Sequence, residues 1–159
     1  MAQNHKWTLQ EFKLSADRVR NETFGFAQWR GEQAAVIEAL GQGHDILTVM
    51  PTGMGKSLCY QIPARMFSEG LGGTAPESSE ATLVLVVSPL IALMKDQVDA
   101  ARLKGIRAAA IHSAMPREQR EKTLAQVGRG GTQPASERLE ILYATPERFR
   151  QEAFREALK

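Results

Sequence analysis

The chain has 159 residues, of which 43% are hydrophobic and 24% are charged, and its formal net charge at pH 7 is only +2. This composition indicates one globular domain with enough apolar residues for a core, and the near-neutral charge means that any nucleic-acid-binding surface must be local. The single cysteine, Cys59, excludes an intramolecular disulfide and a cysteine-rich zinc site.

Neither a membrane span nor a secretory signal is evident in the sequence. No apolar run approaches the length of a membrane-spanning helix, and the N-terminal residues MAQNHKWTLQ lack the apolar middle of a signal peptide. We therefore expect a cytoplasmic protein without a membrane partner, located in the cytoplasm or nucleoid if its source is bacterial.

Two helices and a strand are predicted before residue 51. Residues 7–19 carry apolar side chains at roughly helical spacing, and residues 30–40 form a second helix that Gly41 and Gly43 end. The short apolar run at residues 46–50 lies between polar residues and predicts a buried strand.

The segment PTGMGKS, Pro51–Ser57, then forms a glycine-rich turn before a helix. In this order of strand, loop and helix, backbone N–H groups can bind nucleotide phosphates, and the positive end of the helix favours the anion. Lys56 is placed to reach the β- and γ-phosphates, and the Ser57 hydroxyl to ligate the Mg²⁺ that bridges them. The predicted ATP contacts in this loop are Thr52, Gly53, Met54, Gly55, Lys56 and Ser57, with Lys56 and Ser57 in catalytic roles.

Strands and helices alternate through the rest of the chain. This alternation predicts an α/β fold with a mostly parallel sheet covered by helices on both faces. The predicted strands are 83–87, 107–111 and 139–144; the helices are 56–67, 91–103, 116–127 and 146–158; and the loops are 69–82 and 128–137. Because ligands bind beyond the carboxyl ends of parallel strands, we expect PTGMGKS, SPLIALMKDQV from Ser88 and TPERF from Thr145 to share one edge.

Four segments together resemble the RecQ family of ATP-dependent DNA helicases, within helicase superfamily 2. They are ETFGFAQWRGEQAAVIEAL, DILTVMPTGMGKSLCYQIPA, VVSPLIALMKDQV and ILYATPERF, and they occur in the family's order. Met50, where the general phosphate-loop pattern has glycine, is usual in this family. The resemblance covers about residues 22–149 and implies an incomplete P-loop NTPase fold, the first RecA-like lobe, at 22–159, with 1–21 as a helical extension.

The resemblance assigns adenine recognition to Phe26, Arg30 and Gln33. A glutamine amide can donate to and accept from the adenine edge, and an aromatic ring or guanidinium plane can stack on the base. The family's usual FRPxQ reads WRGEQ here, so Gly31 replaces a proline. Alternatively, Phe26 and Trp29 only fasten the helix to the core, and Arg30 is a solvated helix start.

The resemblance also implies a track for single-stranded DNA along the segments after Ser88 and Thr145. Polar side chains there could contact phosphate oxygens without reading bases, so binding would be salt-sensitive and nearly independent of sequence. The candidates are Ser88, Lys95, Gln97, Thr145 and Arg148, with Glu147 beside them. For Lys95 and Arg148, a solvated surface charge is the alternative. We interpret His112 as a polar strand end.

The family's acidic DExH box, which holds Mg²⁺ and orients the attacking water, does not occur in these residues, which end at Lys159. We therefore expect the ATP- and DNA-binding N-terminal portion of a RecQ-like 3′ to 5′ helicase for single-stranded or duplex DNA, with no unwinding and little ATP hydrolysis of its own. Two alternatives are another superfamily 2 motor, such as a DEAD-box RNA helicase, and a catalytically inactive nucleotide- or DNA-binding module.

Overall fold

The computed structural model describes residues 7–69, 82–128 and 134–159. The chain divides into two compact units, Met1–Glu77 and Ser78–Lys159. The elements of the first unit are α1 (Leu9–Glu22), α2 (Gln33–Gly41) and α3 (Leu58–Ser68). Those of the second are β1 (Val84–Val87), α4 (Ile91–Leu103), β2 (Ala108–Ile111), α5 (Arg117–Gly128), β3 (Ile141–Ala144) and α6 (Glu152–Ala157).

Helix α1 organises the first unit. It starts after Thr8, whose hydroxyl accepts the N–H of Glu11 at 3.2 Å while the Glu11 carboxylate accepts the N–H of Thr8 at 2.7 Å. This capping box explains why the helix begins two residues after the predicted start at Trp7. Phe12, Ala16 and Val19 recur at helical spacing and are buried, so α1 packs its apolar stripe against α2 and α3.

The predicted strand at residues 46–50 is wrong for the described structure. These residues form neither helix nor strand, and Leu47 and Val49 are 95% and 89% exposed. A strand requires hydrogen bonds to a neighbouring strand, and within the described ranges no strand pairs with this segment. Only Met50, at its end, is buried.

The second unit contains a three-stranded parallel sheet with the order β1-β3-β2. Val87 and Ile111 both pair with Ala144, so the three strands end at one level. All four residues of the central strand β3 are buried, as expected for a parallel strand covered on both faces. The α/β class, the parallel sheet and three of the four predicted strands are confirmed.

Helices cover the sheet of the second unit. On one face, Phe154 of α6 joins Ala109, Ile111, Leu142 and Ala144 in a buried cluster, and Leu124 and Val127 of α5 pack against it. Helix α4 packs against β2, and its buried residues Met94, Val98 and Ala101 follow the helical period. The prediction of α4 at 91–103 is confirmed to the residue.

The predicted closing helix at 146–158 is corrected to two shorter elements. Pro146–Arg150 form a 3₁₀ turn, and α6 follows only after Gln151, whose extended backbone (φ −90°, ψ 123°) interrupts the helix. A continuous α-helix requires helical φ/ψ at every residue, so the interruption divides the predicted element. Of the predicted loops at 69–82 and 128–137, residues 70–81 and 129–133 lie outside the described residues, and Ala135–Glu137 form a short 3₁₀ turn.

The domain boundary expected at residue 21 stays a prediction. Helix α1 packs against α2 and α3, and all three belong to one compact unit. Within the described ranges, no helix has the length and apolar character needed to cross a membrane.

Candidate nucleotide-binding site

The segment Pro51–Ser57 is a loop that leads directly into α3. Gly53 and Gly55 have φ angles of +84° and +74°, a region that residues with a Cβ avoid for steric reasons. The loop path therefore requires both glycines. Ser57 immediately precedes α3 and makes no side-chain capping hydrogen bond to it, so the loop ends at the positive pole of the helix dipole with the Ser57 hydroxyl uncommitted to the helix.

Five backbone N–H groups of this loop have no acceptor within the described part of the chain. They belong to Thr52, Gly53, Gly55, Lys56 and Ser57. The N–H of Met54, in contrast, donates to the Pro51 carbonyl at 3.3 Å. Unpaired N–H groups in an accessible loop beside a helix N-terminus are suited to donate to phosphate oxygens. The loop thus has the donors that a phosphate-binding segment needs.

The side chain of Lys56 folds back over the loop. Its ammonium donates to the carbonyl oxygens of Met50 at 2.8 Å and Pro51 at 2.9 Å. An ammonium has three donors and no acceptor, so these two bonds leave one N–H for another anionic or polar oxygen. Lys56 is exposed, and its charge is therefore accessible from solvent.

Gln33 connects the upstream segment to the loop, a contact that sequence reasoning missed. Its side chain, 2% exposed, donates from Nε2 to the carbonyls of Met54 at 3.1 Å and Gly55 at 3.0 Å. Its Oε1 accepts the N–H of Arg30 at 2.9 Å. The partners determine which amide atom is nitrogen. Periodicity reports only on neighbours within one element, so nothing in the sequence could reveal a contact across 22 residues.

The other two predicted adenine contacts lie together at the surface. Phe26 is 37% exposed, and the guanidinium carbon of Arg30 lies 5.7 Å from the centroid of the Phe26 ring, within the range of a cation–π contact. The structure therefore brings Phe26 and Arg30 together. It links both to the phosphate loop through the contact between Arg30 and Gln33.

Gly31 has a structural reason to replace the proline of the resembled family. Its φ is +49°, whereas a proline ring holds φ near −65°. A Cβ at this position would also lie 3.1 Å from Cε of Met54. Glycine at position 31 therefore allows both the positive φ angle and the close approach of the Met54 side chain to the backbone.

In the second unit, Ser88 and Thr145 lie at the shared carboxyl edge of the sheet. The Ser88 N–H donates to the Ala144 carbonyl at 3.0 Å, and the Thr145 N–H donates to the Ile111 carbonyl at 3.3 Å. These two predicted sites are therefore adjacent. Ser88 is half-buried, and its hydroxyl accepts the N–H of Leu90 at 3.2 Å.

The remaining predicted nucleic-acid contacts differ strongly in exposure. The Lys95 side chain is 81% exposed, with its ammonium 3.6 Å from the Asp99 carboxylate. Gln97 is half-buried. Arg148 is 5% exposed and donates from Nη1 to Gln151 at 3.0 Å, and Thr145 is buried as well. Of the five candidates, Lys95 presents its charge most openly to solvent.

The Thr145 hydroxyl donates to the Glu147 carboxylate at 2.6 Å. This hydrogen bond, followed by the backbone N–H of Glu147, holds the pKa of the Glu147 carboxyl below its usual range. Because the pKa of Glu147 is lower in the folded state than in the unfolded state, its ionised carboxylate stabilises the fold at pH values above the unfolded-state pKa. This stabilisation is lost as the pH falls through the folded-state pKa.

Replacing Thr145 with valine should therefore raise the pKa of Glu147 toward its ordinary value, which an NMR titration of the carboxyl carbon would measure. The stability difference between the variant and the wild type should narrow as the pH drops below about 4. Thr123→Val is the matched control, because the Thr123 hydroxyl bonds only to the Gln119 carbonyl. An unchanged Glu147 titration in Thr145→Val would contradict the assigned cause.

Neither a resident metal cluster nor a reactive thiol stands out in the described residues. They contain no group of three or more His, Cys, Asp and Glu side chains that could hold a metal ion. Cys59, in α3, is half-buried, and burial raises the pKa of its thiol, which keeps it protonated near neutral pH. His112 lies just after β2 and is half-buried.

Comparison with known proteins places this geometry in a family context. The model of the DEAD/DEAH box helicase family matches residues 30–159, a range that includes Arg30, Gln33, the phosphate loop, and the segments after β1 and β3. Phe26 and α1 lie outside the matched range.

Individual relatives agree with the family match. The chain is 39% identical over 142 residues to the ATP-dependent DNA helicase RecQ of Haemophilus influenzae, covering 89% of this chain and 20% of that protein. It is 37% identical over 135 residues to the RecQ of Synechocystis, covering 85% and 24%. It is also 39% identical over 140 residues to the human ATP-dependent DNA helicase Q4, covering 77% and 11%. The chain therefore spans about a quarter or less of these curated relatives.

Proposed function

Because the chain belongs to the DEAD/DEAH box helicase family and is similar to the RecQ helicases named above, we propose that residues 51–57 bind the phosphates of Mg-ATP. The observation that carries this proposal is the set of five backbone N–H groups in that loop that have no acceptor in the described part of the chain. Lys56 adds a solvent-exposed positive charge, and the N-terminus of α3 adds the helix dipole. These three features favour a polyanion at the same place.

Adenine recognition by Phe26, Arg30 and Gln33 is the second part of the proposal. Phe26 and Arg30 offer an aromatic face and a planar cation on which a purine can stack. Both Nε2 hydrogens of Gln33 are already donated to the carbonyls of Met54 and Gly55. Gln33 must therefore exchange at least one of these bonds to donate to adenine. In this proposal the side-chain amide of Gln33 couples adenine recognition to the phosphate loop, because a bond to adenine is made at the expense of a bond to the loop.

The residues present also fit a Mg²⁺ ion that arrives with the nucleotide. The Ser57 side chain makes no capping hydrogen bond to α3, and a hydroxyl oxygen is a suitable hard ligand for Mg²⁺. Mg²⁺ keeps several of its ligands as water and phosphate oxygens, so a single protein hydroxyl is a sufficient contribution here. When bound, the ion neutralises charge on the β- and γ-phosphates.

For the whole protein we propose ATP-driven unwinding of DNA, since the relatives are named ATP-dependent DNA helicases; the 3′ to 5′ direction of this proposal rests on the resemblance to the RecQ family. Their names favour this proposal over an RNA helicase. Within the present residues no acidic DExH box follows the phosphate loop, so we propose that this chain binds ATP and turns it over little. DNA-stimulated ATP hydrolysis by the purified chain would favour a more complete catalytic site.

The nucleotide proposal can be tested by equilibrium binding of Mg-ATP to the purified chain, measured by calorimetry and by competition against a fluorescent ATP analogue. We expect saturable binding with a preference for ATP over GTP, because the adenine segment and the phosphate loop are linked. Failure to bind either nucleotide would overturn the proposal. Equal affinities for ATP and GTP would retain the phosphate assignment and remove the adenine assignment.

For nucleic acid, we propose that single-stranded DNA contacts the carboxyl edge of the sheet near Ser88 and the start of α4, with Lys95 as the main cation. Three features support Lys95: its exposure, its position one turn into the helix after β1, and its weak, solvent-exposed pairing with Asp99. Thr145 and Arg148 are buried, so we propose that they support the structure of this edge without contacting the DNA directly.

The change Lys95→Ala should lower the slope of log binding constant against log salt concentration by about 1, because one phosphate contact is lost. Fluorescence anisotropy with labelled single strands of mixed sequence would measure the slope. Lys104→Ala is a suitable control, since Lys104 lies at the other end of the same helix, roughly 14 Å along its axis. The same slope in wild type and Lys95→Ala would argue against the contact.

A further inference from the structure

Helix α1 reaches the adenine segment through a cluster of three side chains, Asp17, Arg20 and Trp29, here named the Trp29 clamp. The indole N–H of Trp29 donates to Oδ1 of Asp17 at 2.8 Å. The guanidinium of Arg20 lies 4.9 Å from the centroid of the Trp29 ring and 3.3 Å from the same Asp17 oxygen. Each member therefore contacts the other two.

The backbone of α1 holds the same segment at a second point. The N–H of Phe26 donates to the carbonyl of Arg20 at 3.2 Å, and the N–H of Gly25 donates to the carbonyl of Asn21 at 3.0 Å. The last turns of α1 thus fix the segment at Phe26 by main-chain bonds and at Trp29 by the clamp. Arg30, directly after Trp29, lies over the Phe26 ring.

Two members of the clamp are shielded from water. The Arg20 side chain is 12% exposed and Trp29 is half-buried, whereas the Asp17 side chain is 47% exposed. Charge-assisted hydrogen bonds and cation–π contacts gain strength as water is excluded. Helix α1 is itself anchored by its buried stripe of Phe12, Ala16 and Val19, so it supplies a fixed support.

We propose that Asp17 and Arg20 are positioning residues for adenine recognition, acting through Trp29 to hold Phe26 and Arg30 in the arrangement that receives the base. This inference rests on the proposed nucleotide function. It assigns a role to a helix that the family match does not cover and that the sequence indicated only as an extension. The donors proposed for phosphate, the backbone N–H groups of the loop and the Lys56 ammonium, contact none of the three clamp residues.

This division of roles predicts that clamp variants affect the binding of ATP and of an inorganic triphosphate differently. Loosening the clamp should weaken ATP binding while leaving the binding of an inorganic triphosphate unchanged. A variant that merely unfolds in part would instead lower the affinity for all ligands by the same factor, since each affinity scales with the folded fraction. The ratio of the dissociation constants for GTP and ATP is therefore the informative quantity.

The experiment measures binding of Mg-ATP, Mg-GTP and Mg-tripolyphosphate to the full 159-residue chain and to four variants. Asp17→Ala removes the acceptor, and Trp29→Phe keeps the ring but removes the indole N–H. Glu22→Ala is the matched control, because it removes an exposed carboxylate from the same helix that pairs only with Arg18 at 3.5 Å. Lys56→Ala reports on the phosphate loop.

In Asp17→Ala we expect the GTP-to-ATP ratio to fall about fivefold, with a smaller fall in Trp29→Phe and no change in Glu22→Ala. Affinity for tripolyphosphate should fall only in Lys56→Ala. A wild-type ratio in either Asp17→Ala or Trp29→Phe overturns the inference and leaves the proposed function intact. Wild-type affinities for all three ligands in Lys56→Ala would overturn the proposed function, and the inference with it.

Discussion

Replacing Lys56 with alanine should weaken the binding of Mg-ATP to this chain about ten- to hundredfold. A charge-assisted hydrogen bond contributes roughly 1.5 to 3 kcal/mol, and each 1.4 kcal/mol corresponds to about a tenfold change in affinity. The ammonium of Lys56 lies over the loop, with bonds to the carbonyls of Met50 and Pro51. It can transfer to phosphate oxygens by a short movement of a flexible side chain.

Calorimetric titration of wild type and variant would measure this loss. Lys13→Ala serves as the control, because Lys13 belongs to the same unit and pairs on the surface with Glu38. Loss of a surface pair in α1 should change ATP affinity little. Equal ATP affinity in wild type and Lys56→Ala would remove the phosphate assignment from the loop.

The substitution Gly55→Ala should lower the free energy of unfolding by about 2 to 5 kcal/mol. An alanine at a φ of +74° is strained by roughly 1 to 2 kcal/mol. Its Cβ would also collide with Nε2 of Gln33, displacing a buried amide that holds the carbonyls of Met54 and Gly55. Leaving such a buried donor without its acceptors costs about 1 to 3 kcal/mol.

Gly53→Ala separates these two causes. Gly53 has a φ of +84°, but a Cβ there would meet nothing within 4 Å, so this variant has the backbone strain without the collision. Urea unfolding of both variants should place Gly55→Ala below Gly53→Ala by about 1 to 3 kcal/mol. Equal losses in the two variants would mean that Gln33 contributes no stability through its contact with the loop.

The elements that sequence predicted well are those whose side-chain pattern and pairing arise within one unit. Helix α4 has buried residues at helical spacing and packs against β2. Strands β1, β2 and β3 are short apolar runs that pair with one another in one sheet, so local pattern and tertiary packing agree. The run at 46–50 has an equally apolar pattern but no hydrogen-bonded neighbour in the described residues. Pattern alone does not provide the partner that makes a strand.

The candidate site shows the same difference between what the local sequence predicts and what tertiary packing determines. The sequence by itself determined the loop chemistry: glycines at 53 and 55 where φ is positive, a lysine and a serine before a helix, and a glutamine upstream, because these residue types define what the backbone and side chains can do. In the structure both glycines have positive φ angles, which a residue with a Cβ adopts only with strain.

Only the tertiary structure decided which of these groups meet. It joined Gln33 to Gly55 across 22 residues, brought Asp17 and Arg20 of α1 to Trp29, buried Arg148 and left Lys95 in solvent. Contacts between elements depend on how whole helices and turns pack. A periodic pattern within one element states which face is buried, and it carries no information about the residue on the other side.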